Sequence, residues 1–101
     1  MKVQIYLGKP QTEKLPVYDV QPGQQVNVTQ IIINNSLETD QKVIMTVNTI
    51  DILTMKAVPG DNVRVLDIVL NPGDKLLLKQ ETENAVNVMV NGNLATVPAN
   101  Y

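Results

Sequence analysis

Apolar and polar positions alternate along much of this chain. Val86, Val88 and Val90 alternate with Asn87, Met89 and Asn91, the period of a strand with one buried face. Val43, Met45 and Val47 alternate with Lys42, Thr46 and Asn48, and Ile44 interrupts the pattern. Val63 and Val65 open a strand that runs on to Leu70. Val26 and Val28 point one way, and then Ile31, Ile32 and Ile33 run together. That break marks either a strand buried on both faces or a bulge near Gln30.

Turn chemistry separates these runs. Pro22-Gly23, Pro59-Gly60 and Pro72-Gly73 each combine a preset proline φ with a glycine free to take the positive φ of a type II turn. Asn91-Gly92 follows alternating apolar residues and is a fourth predicted turn. Residues 49–58 contain Ile50, Ile52, Leu53 and Met55; their β-branched content and the adjacent Pro59-Gly60 favour extended structure over helix. About eight short strands at turn spacings of roughly eight to twelve residues predict an all-β fold. The expected architecture is a single small β-sandwich of antiparallel strands, jelly-roll-like or Ig-like, spanning residues 1–101, with 1–16 as an N-terminal strand or arm. The polar link 8–14 either joins strand one to strand two of the same sheet or lets the first strand pair with a neighbouring subunit. Residues 96–101, with Pro98 and Tyr101, are expected to form a docked tail.

Composition narrows the chemistry. One domain of 101 residues can bury a conventional core. With 44% hydrophobic residues, no Trp, no Phe and three Tyr, that core must be aliphatic. A net charge of -2 supplies no basic stripe for a phosphate backbone, so nucleic acid is not an expected partner. No apolar run approaches the roughly 18 residues of a membrane helix. Residues 1–7 are too short and too alternating for a signal-peptide core, so synthesis in a cytoplasm is expected.

The chain has no Cys and no His, hence no thiol nucleophile and no imidazole base or ligand. Ser36, in Asn34-Asn35-Ser36, reads as a turn serine bonded to its own backbone. Asp19, Asp51, Asp61, Asp67 and Asp74 are the carboxylates that could pair for acid–base work. Asp61 and Asp74 follow Pro-Gly pairs, whereas Asp67 interrupts an apolar run, at an outward position or a bulge. Calcium is the one metal whose oxygen ligands the chain could offer, from Glu38-Thr39-Asp40 and Asp74, but EF-hand spacing is missing. Asn27, Asn34, Asn35, Asn48, Asn84, Asn87, Asn91 and Asn93 could contact sugar hydroxyls, although three tyrosines leave few rings for stacking. The triplets Asn27-Val28-Thr29 and Asn34-Asn35-Ser36 match the glycosylation pattern by chance in so Asn-rich a chain. No catalytic residue, cofactor or metal site is expected, and the chain reads as a non-enzyme.

One order of motifs carries a resemblance. Tyr18-Asp19-Val20-Gln21-Pro22-Gly23-Gln24 leads into the β-branched run 26–35. Later come Val69-Leu70-Asn71-Pro72-Gly73-Asp74-Lys75-Leu76 and Asn84-Ala85-Val86-Asn87-Val88-Met89-Val90-Asn91-Gly92. This text, about three-quarters of the chain, resembles a family of small β-sandwich structural proteins encoded by tailed bacteriophages. The resemblance implies a virion protein, a decoration or accessory subunit that binds capsid, neck or tail proteins and copies of itself. The alternative is a receptor- or glycan-binding module of the adsorption apparatus. Residues 1–16 have no counterpart in that pattern. Ile50, Ile52, Leu53 and Met55 exceed what an exposed loop needs and are the expected assembly contact. Serine at Ile52 and Met55 should then weaken assembly and spare folding.

Overall fold

A computed structural model describes residues 1–97. Among them the secondary structure is entirely β: β1 (Lys2–Gly8), β2 (Leu15–Asp19), β3 (Gln24–Asn35), β4 (Gln41–Val47), β5 (Ile50–Ala57), β6 (Gly60–Leu70), β7 (Lys75–Gln80) and β8 (Val86–Thr96). They form two four-stranded antiparallel sheets, sheet A in the order β1-β8-β3-β6 and sheet B in the order β2-β7-β4-β5. First pairs with last, second with seventh, third with sixth and fourth with fifth. This is the strand order of a jelly roll, a long hairpin folded across itself into two sheets. Of the two sandwich types expected, the jelly roll is the one adopted.

The core lies between the sheets and is aliphatic. Val26, Val28, Ile31, Ile33, Val86, Val88 and Val90 from sheet A meet Val43, Met45, Met55, Leu76 and Leu78 from sheet B, all buried. Each such side chain removed from water contributes about 1.5–3 kcal/mol. Tyr6 and Tyr18 pack against this cluster, and burial pushes the Tyr6 phenol up from its ordinary range.

Two polar side chains inside the sandwich are fully employed. The Gln80 amide donates to the Pro10 carbonyl, and its Oε1 accepts from the N–H groups of Ala85 (3.1 Å) and Val86 (3.0 Å). Asn35 donates to the carbonyls of Thr39 and Ala57, each at 2.9 Å, and accepts from Leu37 N–H at 3.0 Å. These amides replace the water that loop backbone would otherwise need.

The predicted break near Gln30 is a bulge. Val28 pairs with Gly92 and Gln30 with Asn91, so Thr29 is an extra residue against β8. The bulge transfers the buried positions from Val26 and Val28 to Ile31, Ile33 and Asn35, which explains the run of isoleucines. Residues 49–58 are extended, as β5.

Three expectations are corrected. The link 9–14 connects strands of opposite sheets, and β1 pairs with β8 of its own molecule. Asn91-Gly92 is no turn; both residues lie in the middle of β8, and the reason for the glycine is lack of space, described below. Met55 is 1% exposed and belongs to the core, because β5 turns Met55 and Ala57 inward. The tail predicted over 96–101 falls largely outside the described residues.

Candidate functional site

The registers of sheet A place its outward side chains on a grid. One row runs Lys2, Asn93, Asn27, Val69; the next Gln4, Asn91, Gln30, Val65; the third Leu7, Met89, Ile32, Val63. Two polar rows therefore lie beside an apolar one, and every row ends on a valine of β6. These valines are open to water: Val63 is 61%, Val65 83% and Val69 54% exposed. β6 is the edge of sheet A, so its outer backbone groups have no strand beside them.

That edge is not a plain template for strand addition. Between Val28 and Gln30 the partner strand β6 runs from Ile68 to Val65, so Leu66 and Asp67 share the space of one residue. The bulge and the charged Asp67 and Arg64 blunt the edge, leaving the valines as a side-chain surface. β5, the edge of sheet B, adds exposed Ile50 and Ile52, and Val58 follows it. Between these two edges a 310 Å³ cleft reaches core residues Ile31, Ile33 and Met55, with Lys56 and Arg64 at its sides.

A second feature lies at the other end of sheet A. Ile5 is extra on β1 and Thr29 extra on β3, each measured against β8, and the β6 bulge continues the same line. The first two meet over the stretch of β8 from Val90 to Gly92, and the third lies one strand further on, across β3. A β-carbon on Gly92 would collide with the Asn27 carbonyl and lie 2.7 Å from Ile5 Cδ1, so only glycine lets the β3 backbone and the Ile5 side chain approach this closely. The irregular region carries a 550 Å³ groove lined by Lys2, Gln4, Thr29, Gln30, Asn91 and Asn93, among others. Within it the Asn91 amide donates to Gln30 Oε1 at 3.1 Å, and the Thr29 hydroxyl donates to the Asn91 carbonyl at 3.4 Å.

The carboxylates do not gather. Among the described residues no three acidic side chains converge. Asp51 accepts from Lys14 Nζ at 2.6 Å and from Thr46 Oγ1 at 2.7 Å, and these bonds, Lys14's first, hold its carboxyl below the ordinary range. Asp74 accepts from the Asn48 amide (3.1 Å) and Asn71 N–H (2.8 Å), which lower it likewise. Asp40 lies 3.6 Å from Lys56 Nζ. Asp67 is exposed at the bulge and Asp61 accepts from Asn34 at 2.8 Å. Ser36 donates to the Ala85 carbonyl at 2.9 Å rather than to its own backbone.

No family model matches the chain, and no curated protein does. A solved structure of an acetyl xylan esterase (Est2A) from the rumen bacterium Butyrivibrio proteoclasticus is similar to it at 19% sequence identity and a TM-score of 0.47. The likeness covers 98% of this chain and 34% of that one, so the chain spans about a third of that protein's length.

The three Pro-Gly sites sit at connections. Gly23, Gly60 and Gly73 have φ of 80°, 92° and 87°, and Gln24 N–H to Gln21 O (3.2 Å) and Asp74 N–H to Asn71 O (3.0 Å) close the first and third. Of the four apolar residues singled out in β5, Ile50 and Ile52 are exposed, Leu53 is half-buried and Met55 is buried. Sequence reading missed the β6 valines as a surface. Their signal was present in Val63-x-Val65, but alternation does not say which face is covered.

Proposed function

We propose that this chain is a structural virion protein of a tailed bacteriophage, a decoration or accessory subunit that binds capsid, neck or tail proteins and copies of itself. The observation that carries the reading is the row of exposed valines on the outward face of β6, Val63, Val65 and Val69, with Ile50 and Ile52 exposed on the other edge strand, β5. Monomeric proteins rarely expose apolar patches larger than a few hundred Å², and apolar side chains repeated along an exposed edge strand suit a contact with another protein. The resemblance of its motif order, from Tyr18 to Gly92, to that of phage structural proteins is the second support for this reading. The bulged, charged β6 edge suits side-chain docking of a neighbour and disfavours open-ended strand addition.

The test is quantitative mass spectrometry of purified particles from the source culture. About one copy per capsid subunit, or per few, supports a decoration role. A much lower ratio assigns the chain to the neck or tail. Complete absence from particles overturns the proposal.

A further inference from the structure

We infer that the groove over Gly92 binds an uncharged, hydroxyl-rich ligand, a segment of polysaccharide. This inference does not rest on the virion reading.

The groove exists because the sheet is irregular there. Regular strands would present flat rows of side chains. Extra residues at Ile5, Thr29 and Leu66/Asp67, together with Gly92, bend sheet A along one line. Bulges of this kind occur preferentially beside binding sites, where they re-aim side chains. The volume, 550 Å³, lies in the range of small-ligand sites.

The lining selects the ligand class. Gln4 and Asn93 each offer both an N–H donor and a carbonyl acceptor, Gln30 and Asn91 keep the donor and acceptor sites left over from their own bond, and the Thr29 hydroxyl oxygen can still accept. Gln4 and Asn93 have no side-chain hydrogen-bond partner among the described residues. Groups that both donate and accept match hydroxyls, which do the same. A phosphate or carboxylate accepts only, and would waste the amide oxygens while meeting a single cation, Lys2. A nucleobase would need a ring to stack on, and the lining has none. Register places Gln4, Asn91 and Gln30 in one row and Lys2, Asn93 and Asn27 in the next, so amides recur across strands about 4.8 Å apart. Such spacing suits an extended chain of repeated hydroxyls laid across the strands. Val3 and the Gly92 backbone supply the only apolar floor. Affinity for a single oligosaccharide is therefore weak, and the titration must reach millimolar ligand.

The experiment is a two-dimensional NMR titration of the 15N-labelled full chain with maltohexaose, cellohexaose, chitohexaose and xylohexaose, and with oligogalacturonate as the acidic control. The expected result is saturable shifts from at least one neutral probe, confined to Gln4, Thr29, Gln30, Asn91, Gly92 and Asn93. Gln30→Ala combined with Asn93→Ala, both outward side chains, should weaken that binding at least tenfold while the rest of the spectrum keeps its dispersion. If the double variant loses its fold, Gln4→Ala alone, on the edge strand β1, provides the same comparison. Shifts with oligogalacturonate only, shifts elsewhere on the protein, or none with any neutral probe overturn the assignment. None of these outcomes bears on whether the chain is found in particles.

Discussion

Gly92 and the carbonyl of Asn27 lie so close across the β8–β3 pair that no β-carbon fits between them. The obstacle is backbone, so it cannot rotate away. Replacing Gly92 with Ala should cost about 1–3 kcal/mol or more, as overpacking does, read as a lower urea midpoint with an unchanged slope. Gly8 provides the contrast: its nearest neighbour is the Tyr6 hydroxyl at 2.9 Å, the far end of a side chain. Gly8→Ala should cost clearly less. Equal costs would mean that β8 can slide away from β3.

Buried and exposed apolar residues of the two edge strands β5 and β6 should separate on mutation. Met55→Ala removes a core side chain that is 1% exposed and should cost about 2–5 kcal/mol. Val65→Ser acts on a residue 83% exposed and should change stability by only about 0.5 kcal/mol. Sedimentation velocity, or binding to particles, should register the second change and not require unfolding. A Val65→Ser protein that assembles as before would remove the β6 face from the interface.

Gln80 joins three stretches of backbone. Gln80→Leu would take the side-chain acceptor from Val86 N–H and leave Ala85 N–H only its longer bond to the Thr82 carbonyl at 3.3 Å, at about 1–3 kcal/mol for a buried group that water cannot reach. Hydrogen exchange should locate the damage. Faster exchange at Ala85 and Val86, ahead of the rest of β8, is the expected signature.

Acid should weaken the fold through Asp51 and Asp74. Both carboxyls are held below their ordinary value of 3.8, Asp51 chiefly by Lys14 and Asp74 chiefly by Asn48. A carboxyl lowered in the folded state binds protons more weakly there than in the unfolded chain. Its contribution is present above the unfolded value and is lost as pH falls through the folded one. Urea midpoints measured from neutral pH downward should therefore hold steady and then drop below about pH 4. Asp51→Asn with Asp74→Asn should flatten that drop. The effect is small and salt-sensitive, since Asp51 is exposed and Asp74 only half-buried.

Much of this fold was legible because one face of most strands is buried and the other is wet. The alternation of Val86, Val88 and Val90 followed directly from that. The Ile31-Ile32-Ile33 run was legible too, since a bulge leaves a phase change in the pattern. Asn91-Gly92 was misread because the dipeptide favours turns locally, whereas its glycine answers a crowding between β1, β3 and β8 that exists only after folding. Met55 was misplaced for a related reason. The side of an edge strand that faces the core depends on which sheet it joins, and pairing between β4 and β7 decides that at long range. The groove is of the same kind: Gln4, Gln30 and Asn91 lie far apart in sequence and become neighbours only through register.

The pairing of first strand with last has a consequence for how the molecule forms. β4 and β5 can close locally through Asn48 and Thr49, but every other pairing joins distant segments. β8 stands in the interior of sheet A, between β1 and β3. Until it leaves the ribosome, β1 has no partner strand and β3 lacks one of its two. Folding dominated by such distant contacts is slow, on the order of milliseconds to seconds, and cannot be completed stepwise during synthesis. A nascent chain short of β8 would show its inner valines to solvent, so the surface available for association would change character abruptly when the last strand docks.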